Sequence, residues 1–321
     1  GSEMCIRDRT WSPDGSRVLY RADQQSAGVA ELYVAQADGG GNVKVSGALA
    51  PGGDVGVFYR WAPDGSRVAY AAEQETDNVL ELYTSLADGS GNVRVSPEPV
   101  PGGMVGQFEW SPDAQRLAFT GDLEVDTRLE LFCALADGSG SVRVSAPLQA
   151  NGDVLDHSWS PDASRIAYLA DQDVDESYEL FSVLPDGSGH ARLNGPLPPG
   201  GRVFAGPRWS PDAARIAYRA YQQADGAYRL YAVGPDGADR VTLNGPLVDG
   251  GDVAGFKWAP DASRVAYLAD QTTDEVMELY ASLPDGSGNA VLNGPLVDGG
   301  NVLPPFGSSF YWAPDASRMA Y

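Results

Sequence analysis

The residues of this chain with the clearest chemical potential are carboxylates. Asp171, Asp173 and Asp175 occupy alternate positions of Asp171-Gln172-Asp173-Val174-Asp175-Glu176, and a hard divalent cation such as calcium is held by several such oxygens at close quarters. The spacing matches the start of a calcium loop, but its later glycine and the glutamate at its twelfth position are absent. Similar acidic or amide-rich stretches run through 23–25, 73–77, 122–126, 221–225 and 270–275, and Asp54, Asp153, Asp249 and Asp252 stand in Gly-Gly-Asp-like turns. Nucleophilic chemistry has less to work with. His157 and His190 are the two histidines, neither in a Ser-His-Asp context, and there is no Gly-x-Ser-x-Gly elbow and no Cys/His metal cluster. Carboxylate pairs are abundant enough for glycosidase or lyase chemistry, yet none forms a distinctive constellation.

The whole chain shares this acidity. Its formal charge is −22, from 44 acidic and 22 basic residues, with Lys44 and Lys257 the only lysines. Such a surface repels a phosphate backbone, so nucleic acid is excluded as a partner, while cations, basic proteins and neutral surfaces are not. No apolar stretch approaches the roughly 20 residues that span a membrane. Two cysteines make no disulfide framework. Cys133, in Leu131-Phe132-Cys133-Ala134-Leu135, reads as a small core residue. Cys5 belongs to Glu3-Met4-Cys5-Ile6-Arg7-Asp8, which lies outside the pattern of the rest and looks like a translated adapter end. Residues 1–9 are therefore treated as a non-native leader and residues 10–321 as one domain.

What positions the carboxylates is a repeat. Trp-Ser/Ala-Pro-Asp-Gly/Ala begins at Trp11, Trp61, Trp110, Trp159, Trp209, Trp258 and Trp312, at spacings of 50, 49, 49, 50, 49 and 54, the last lengthened by Leu303-Pro304-Pro305-Phe306-Gly307. Around each Trp an extended segment enters a Pro-Asp turn. Five copies carry Ala in place of the turn glycine (Ala114, Ala163, Ala213, Ala262, Ala316), which predicts a position with no need of a left-handed residue. Arg67-Val68-Ala69-Tyr70 then alternates bulky and small apolar residues, the mark of a strand covered on both faces. Glu81–Leu86 is a third strand, Asp88-Gly89 a hairpin turn, and 92–95 a short outer strand. Four strands per 49 residues, without helical periodicity, predict an all-β propeller of four-stranded antiparallel blades. The tryptophans are expected to pack between neighbouring blades. Six units hold all four strands and the seventh stops after two, which favours seven blades with the last incomplete. An open arrangement of six plus a half and a fragment of an eight-bladed ring are the alternatives.

The motif resembles the TolB-type (WD-like) propeller repeat. Trp159-Ser160-Pro161-Asp162, Arg165-Ile166-Ala167-Tyr168, Glu179-Leu180-Phe181 and Asp186-Gly187-Ser188-Gly189 carry the resemblance, which extends over residues 10–321. It implies an exported protein, periplasmic or extracellular, with a role in binding other proteins. The same group includes propellers that gate prolyl-oligopeptidase-like hydrolases, so an accessory propeller lacking its catalytic domain is the alternative. Such folds host unrelated activities.

Strand alternation assigns the loops to faces. The Pro-Asp and Asp-Gly turns fall at one end of each blade; the loops between strands two and three fall at the other end, with the connections to the next blade. The longer loops are the functional candidates. Asp54, Asp77, Asp126, Asp153, Asp225, Asp252 and Asp274 form the candidate binding face, and Asp171, Asp173 and Asp175 the candidate metal site. Three roles are open to these residues: loop formation and solubility, calcium binding, or docking of a basic protein or peptide. The near-identity of the units favours a non-enzymatic binding protein over an enzyme, whose single site needs asymmetry.

Overall fold

A computed structural model describes residues 9–204, 206–297, 299–302 and 310–320; the leader before Arg9 and the insertion at 303–307 lie outside them. All regular structure among the described residues is β-strand. In blade 2 the four strands are Val55–Trp61, Arg67–Ala72, Glu81–Leu86 and Val93–Arg94, hydrogen-bonded in that order and antiparallel throughout. Blades 1, 3, 4 and 6 repeat this order. In blade 5 the first strand is split into Arg202–Val203 and Arg208–Trp209, both paired with the second strand. The seventh sheet pairs Tyr311–Trp312 with Met319–Ala320. The protein is thus an all-β propeller of seven blades with the last incomplete, as the repeat predicts. Its contacts divide into two compact units, one ending at Ser145 and one beginning at Ala146. The first holds blades 1–3, the second blades 4–7.

The alternation of large and small residues explains the packing inside each unit. Val68, Tyr70 and Ala72 of the second strand join Trp61, Tyr59 and Tyr83 against Leu19, Leu32, Val34 and Val45 of blade 1. The intervening Ala69 points the other way, with Leu82 and Ala62, towards Trp110, Phe119 and Leu117 of blade 3. Blades 5 and 6 pack likewise, Ala217, Leu230 and Leu243 against Val265, Tyr267 and Tyr280. Each sheet therefore has a bulky face and a flat one, and neither is buried until the next blade covers it. Cys133 is buried in its blade as expected, and burial pushes its thiol up to about 12.

The tryptophans link blades by more than area. The indole N–H of Trp61 donates to the Thr10 carbonyl at 3.2 Å, Trp110 to Arg60 at 3.4 Å, Trp209 to Ser158 at 3.3 Å, Trp258 to Arg208 at 3.0 Å and Trp312 to Lys257 at 3.4 Å. In each case the acceptor is the residue just before the preceding blade's own Trp. Trp61, Trp110 and Trp159 are buried, Trp209, Trp258 and Trp312 half-buried, and Trp11 is 59% exposed.

One expectation is overturned. Ala114, Ala163, Ala213, Ala262 and Ala316 all have φ between 58° and 60°, matching Gly15 and Gly65 at 69° and 68°. The turn does demand a left-handed residue, because two contacts set its geometry: the Ala114 N–H donates to the Ser111 carbonyl at 2.9 Å, and Asp113 Oδ1 accepts the Gln115 N–H at 3.1 Å. A Cβ in that region costs about 1–2 kcal/mol, partly offset by the greater chain entropy glycine has when unfolded. Ala114→Gly is accordingly expected to stabilise the protein by about 0.5–1 kcal/mol. A urea midpoint equal to or below the parent's would rule out that strain.

Candidate functional site

The loop between strands two and three is eight residues long in five of the complete blades and seven in blade 5. The residue three positions before the third strand is left-handed: Gly28, Asn78, Thr127, Glu176, Gly226 and Glu275 have φ of 78°, 63°, 65°, 59°, 83° and 60°. The first residue of the loop accounts for this. Asp122 is buried, and its Oδ2 accepts the Thr127 N–H at 3.1 Å while Oδ1 accepts the Met104 N–H of the incoming connection at 2.7 Å. Asp171 does the same with Glu176 (3.0 Å) and Asp153 (2.6 Å), as does Asp270 with Glu275 (3.2 Å) and Asp252. One carboxylate thus closes its own loop and ties it to the connection that arrives from the previous blade. The two loop classes share an end of the blade, as strand alternation requires.

The residues of the Gly-Gly-Asp turns extend this framework. Asp54 accepts the Ala30 N–H of blade 1 at 2.6 Å, Asp252 the Tyr228 N–H of blade 5 at 2.6 Å, and Asn301 the Met277 N–H of blade 6 at 2.6 Å. Asp153 donates its own N–H to Asp171. Asp54, Asp153 and Asp252 are therefore half-buried struts rather than exposed rim charges.

A further row of carboxylates escaped the sequence reading. Glu31, Glu81, Glu130 and Glu179 open the third strand and are buried. Each faces a fourth-strand cation: Lys44 on Glu31 at 2.6 Å, Arg94 on Glu81 at 2.7 Å, Arg143 on Glu130 at 3.1 Å and Arg192 on Glu179 at 3.2 Å. The same cations reach the third residue of the loop, Glu75 at 2.8 Å, Glu124 at 2.7 Å and, in blade 4, Asp173. The tyrosine two residues after the glutamate donates to its second oxygen: Tyr33 to Glu31 at 2.6 Å, Tyr83 to Glu81 at 2.5 Å, Tyr280 to Glu278 at 2.7 Å. Burial and these bonds push the Tyr33 and Tyr83 phenols well above their ordinary range. The recurrence of Glu-Leu-Tyr or Glu-Leu-Phe in five units is the signal that could have revealed the row.

Blade 5 inverts the arrangement. Arg229 replaces the glutamate, Thr242 replaces the cation, and Arg229 grips Asp225 through both nitrogens at 2.9 and 2.5 Å. The guanidinium holds the Asp225 carboxyl down at about 2.

Of the candidate metal residues, Asp171 is spent on backbone N–H groups, Asp173 is paired with Arg192, and Asp175 is exposed on the loop. Among the described residues no group of three or more His, Cys, Asp or Glu side chains is arranged to hold a metal ion. Among the exposed carboxylates without a cation, Asp77, Asp126, Asp175 and Asp274 occupy equivalent positions of their loops. They lie against the glycine turns: a Cβ on Gly52, Gly102 or Gly250 would meet Asp77, Asp126 or Asp274 at 3.2, 2.9 and 3.0 Å. Exposed valines stand beside two of them, Val125 at 43% and Val174 at 62%. The histidines are apart in role. His157 pairs across the ladder with Tyr168, and His190 Nδ1 lies 3.3 Å from the Tyr168 hydroxyl, where Asn92 and Asn289 serve Tyr70 and Tyr267.

The fold and this end of the blades define the chain as a β-propeller with an acidic loop face. The dipeptidyl peptidase 4 of Porphyromonas gingivalis is similar at 16% identity and a TM-score of 0.64, over 89% of this chain and 45% of that one. An oligogalacturonate lyase in complex with manganese is similar at 14% identity and 0.52, over 97% and 84%. A putative TolB from Agrobacterium tumefaciens matches at 18% identity and 0.43, over 74% and 79%. At such identities the likeness is one of fold. The chain spans less than half the length of the peptidase. No family model and no curated protein sequence matches it. No helix of the described residues is long and apolar enough to cross a membrane.

Proposed function

We propose that the chain is a non-enzymatic binding propeller, part of an exported protein, which docks a basic protein or peptide on the loop face. The observation that carries this reading is the set Asp77, Asp126, Asp175 and Asp274. Asp171 closes its loop, Asp54 braces a connection, and Glu81 and Asp225 pair with arginine, whereas these four, all at one position of the loop, stand exposed and without a cation. Uncompensated rim charge steers an oppositely charged partner and makes binding sensitive to salt.

The probe is a fluorescent decalysine peptide, titrated at low and at physiological salt. Neutralising the four residues together as Asn should weaken binding about tenfold. The control changes the same net charge at the opposite end, Asp38, Asp88, Asp137 and Asp285 to Asn. Those residues cap the Asp-Gly turns. Equal losses in both variants would mean that decalysine reads net charge, and the docking face would be abandoned.

The accessory propeller of a prolyl-oligopeptidase-like hydrolase is the second reading, supported by the likeness of fold to the peptidase. A Gly-x-Ser-x-Gly segment in sequence flanking this chain would favour it.

A further inference from the structure

Blade 5 leaves open a corner that blades 2, 3 and 4 fill with ions. In blade 2 the fourth-strand Arg94 lies between Glu75 at 2.8 Å and Glu81 at 2.7 Å. Arg143 and Arg192 do the same in blades 3 and 4. All three positions change in blade 5: Gln223 stands for Glu75, Arg229 for Glu81 and Thr242 for Arg94. Arg229 is engaged by Asp225 and lines a different cleft. What remains at the corner is a cleft of about 320 Å³, with Gln222, Gln223, Tyr231, Arg240 and Thr242 as its polar lining and Pro196 and Val241 as apolar walls. Among the described residues no carboxylate lines it.

The cation of this cleft is Arg240. It occupies the place of Asn92 and Asn289, whose amides donate to Tyr70 and Tyr267. Its guanidinium lies against Gly195, where a Cβ would meet Cζ at 2.8 Å. Arg240 is exposed, and among the described residues no carboxylate pairs with it. Tyr231, on the same cleft, is 5% exposed. Tyr33, Tyr83 and Tyr280 give their phenol proton to the glutamate two residues earlier; two residues before Tyr231 stands Arg229, itself a donor. Gln222 Oε1 is already taken by the Gly195 N–H. The cleft thus gathers a two-pronged guanidinium and the Tyr231 and Thr242 hydroxyls around one unneutralised positive charge, in a chain of formal charge −22.

We propose that the blade 5 cleft binds a small monocarboxylic acid. The two oxygens of its carboxylate match the fork of Arg240, the hydroxyls supply further donors, and its carbon part rests on Pro196 and Val241. The cleft has the size of a small-molecule site. One guanidinium balances one charge, and the field of an acidic chain opposes a second, so a carboxylate is preferred to a phosphate dianion. The site stands apart from the docking of a basic partner and does not depend on it.

The probe is benzoate, with benzamide as its neutral counterpart and inorganic phosphate as the dianion. Each is titrated into the whole chain while the backbone amide signals of Gly195, Val241 and Thr242 are followed by nuclear magnetic resonance. Benzoate should shift them saturably and bind about tenfold more tightly than benzamide or phosphate. Arg240→Gln should weaken benzoate about tenfold and leave the melting temperature unchanged. Arg240→Lys keeps the charge without the fork and should recover part of the affinity. Gln223→Glu restores the acid of blade 2 and places a competing carboxylate inside the cleft; it should weaken benzoate at least as much as Arg240→Gln does. Equal binding of benzoate and benzamide, or undiminished benzoate binding in Arg240→Gln and Gln223→Glu, overturns the site. Phosphate binding more tightly than benzoate overturns the choice of a monocarboxylate.

Discussion

Trp110→Ala is expected to destabilise the protein by about 3–5 kcal/mol, the cost of removing a buried aromatic side chain. Trp110 is 5% exposed and packs in a cluster that draws Ala62, Ala69 and Leu82 from blade 2 and Phe108, Leu117 and Phe119 from blade 3. Its N–H bond to the Arg60 carbonyl goes with it, a further loss of about 1 kcal/mol. Trp110→Phe keeps most of the area and loses the bond, so its cost should be about 1–2 kcal/mol. Trp11 begins the same motif but is 59% exposed; Trp11→Ala should cost less than about 1 kcal/mol. Urea unfolding followed by circular dichroism compares the three. If Trp110→Ala and Trp11→Ala shift the midpoint equally, the inter-blade role of the tryptophan is wrong.

Asp171→Ala should cost about 2–4 kcal/mol, because two backbone N–H groups lose a buried acceptor at once. The Glu176 N–H is the more consequential, since Glu176 is held at φ 59°, a conformation unfavourable to a residue with a Cβ. Asp171→Asn retains one acceptor oxygen and should cost about half as much. The same residue belongs to the candidate calcium trio, and the two roles separate cleanly. A bound calcium at a hundred times its dissociation constant would stabilise the fold by about 2.7 kcal/mol. With Asp171 committed to backbone and Asp173 to Arg192, the melting temperature should be the same in millimolar calcium and in chelator. A calcium-dependent rise that Asp171→Ala abolishes would restore the metal reading.

These variants also show what kind of information the repeat carried. Inter-blade packing was legible because Val68-Ala69-Tyr70 and its copies alternate bulk and smallness, a pattern useful only to a strand covered on both sides. The shared end of the two loop classes was legible because antiparallel strands leave no other option. The roles of individual carboxylates were not. Asp171 and Asp175 are four residues apart and look alike in sequence; one is 2% exposed and braces the loop, the other projects from its tip. Similarly, Asp225 reads as rim charge until Arg229, four residues on, is seen to turn back onto it. The turn alanines misled for a related reason: a Cβ at φ near 60° is tolerated only because hydrogen bonds to Ser111 and Asp113 over-determine the turn, and those bonds need the strands already in register.

By itself, the amino-acid order determined the blade, its four strands, their direction and the face each loop occupies. Those follow from local periodicity and turn chemistry, copied at every unit. Tertiary structure alone decided which acids are charges and which are struts. A carboxylate's fate depends on donors such as Arg94, 13 residues from Glu81, or the Ala30 N–H, 24 residues from Asp54. Strand pairing and blade stacking bring such partners within 3 Å, and a hydrogen bond is decided at that distance.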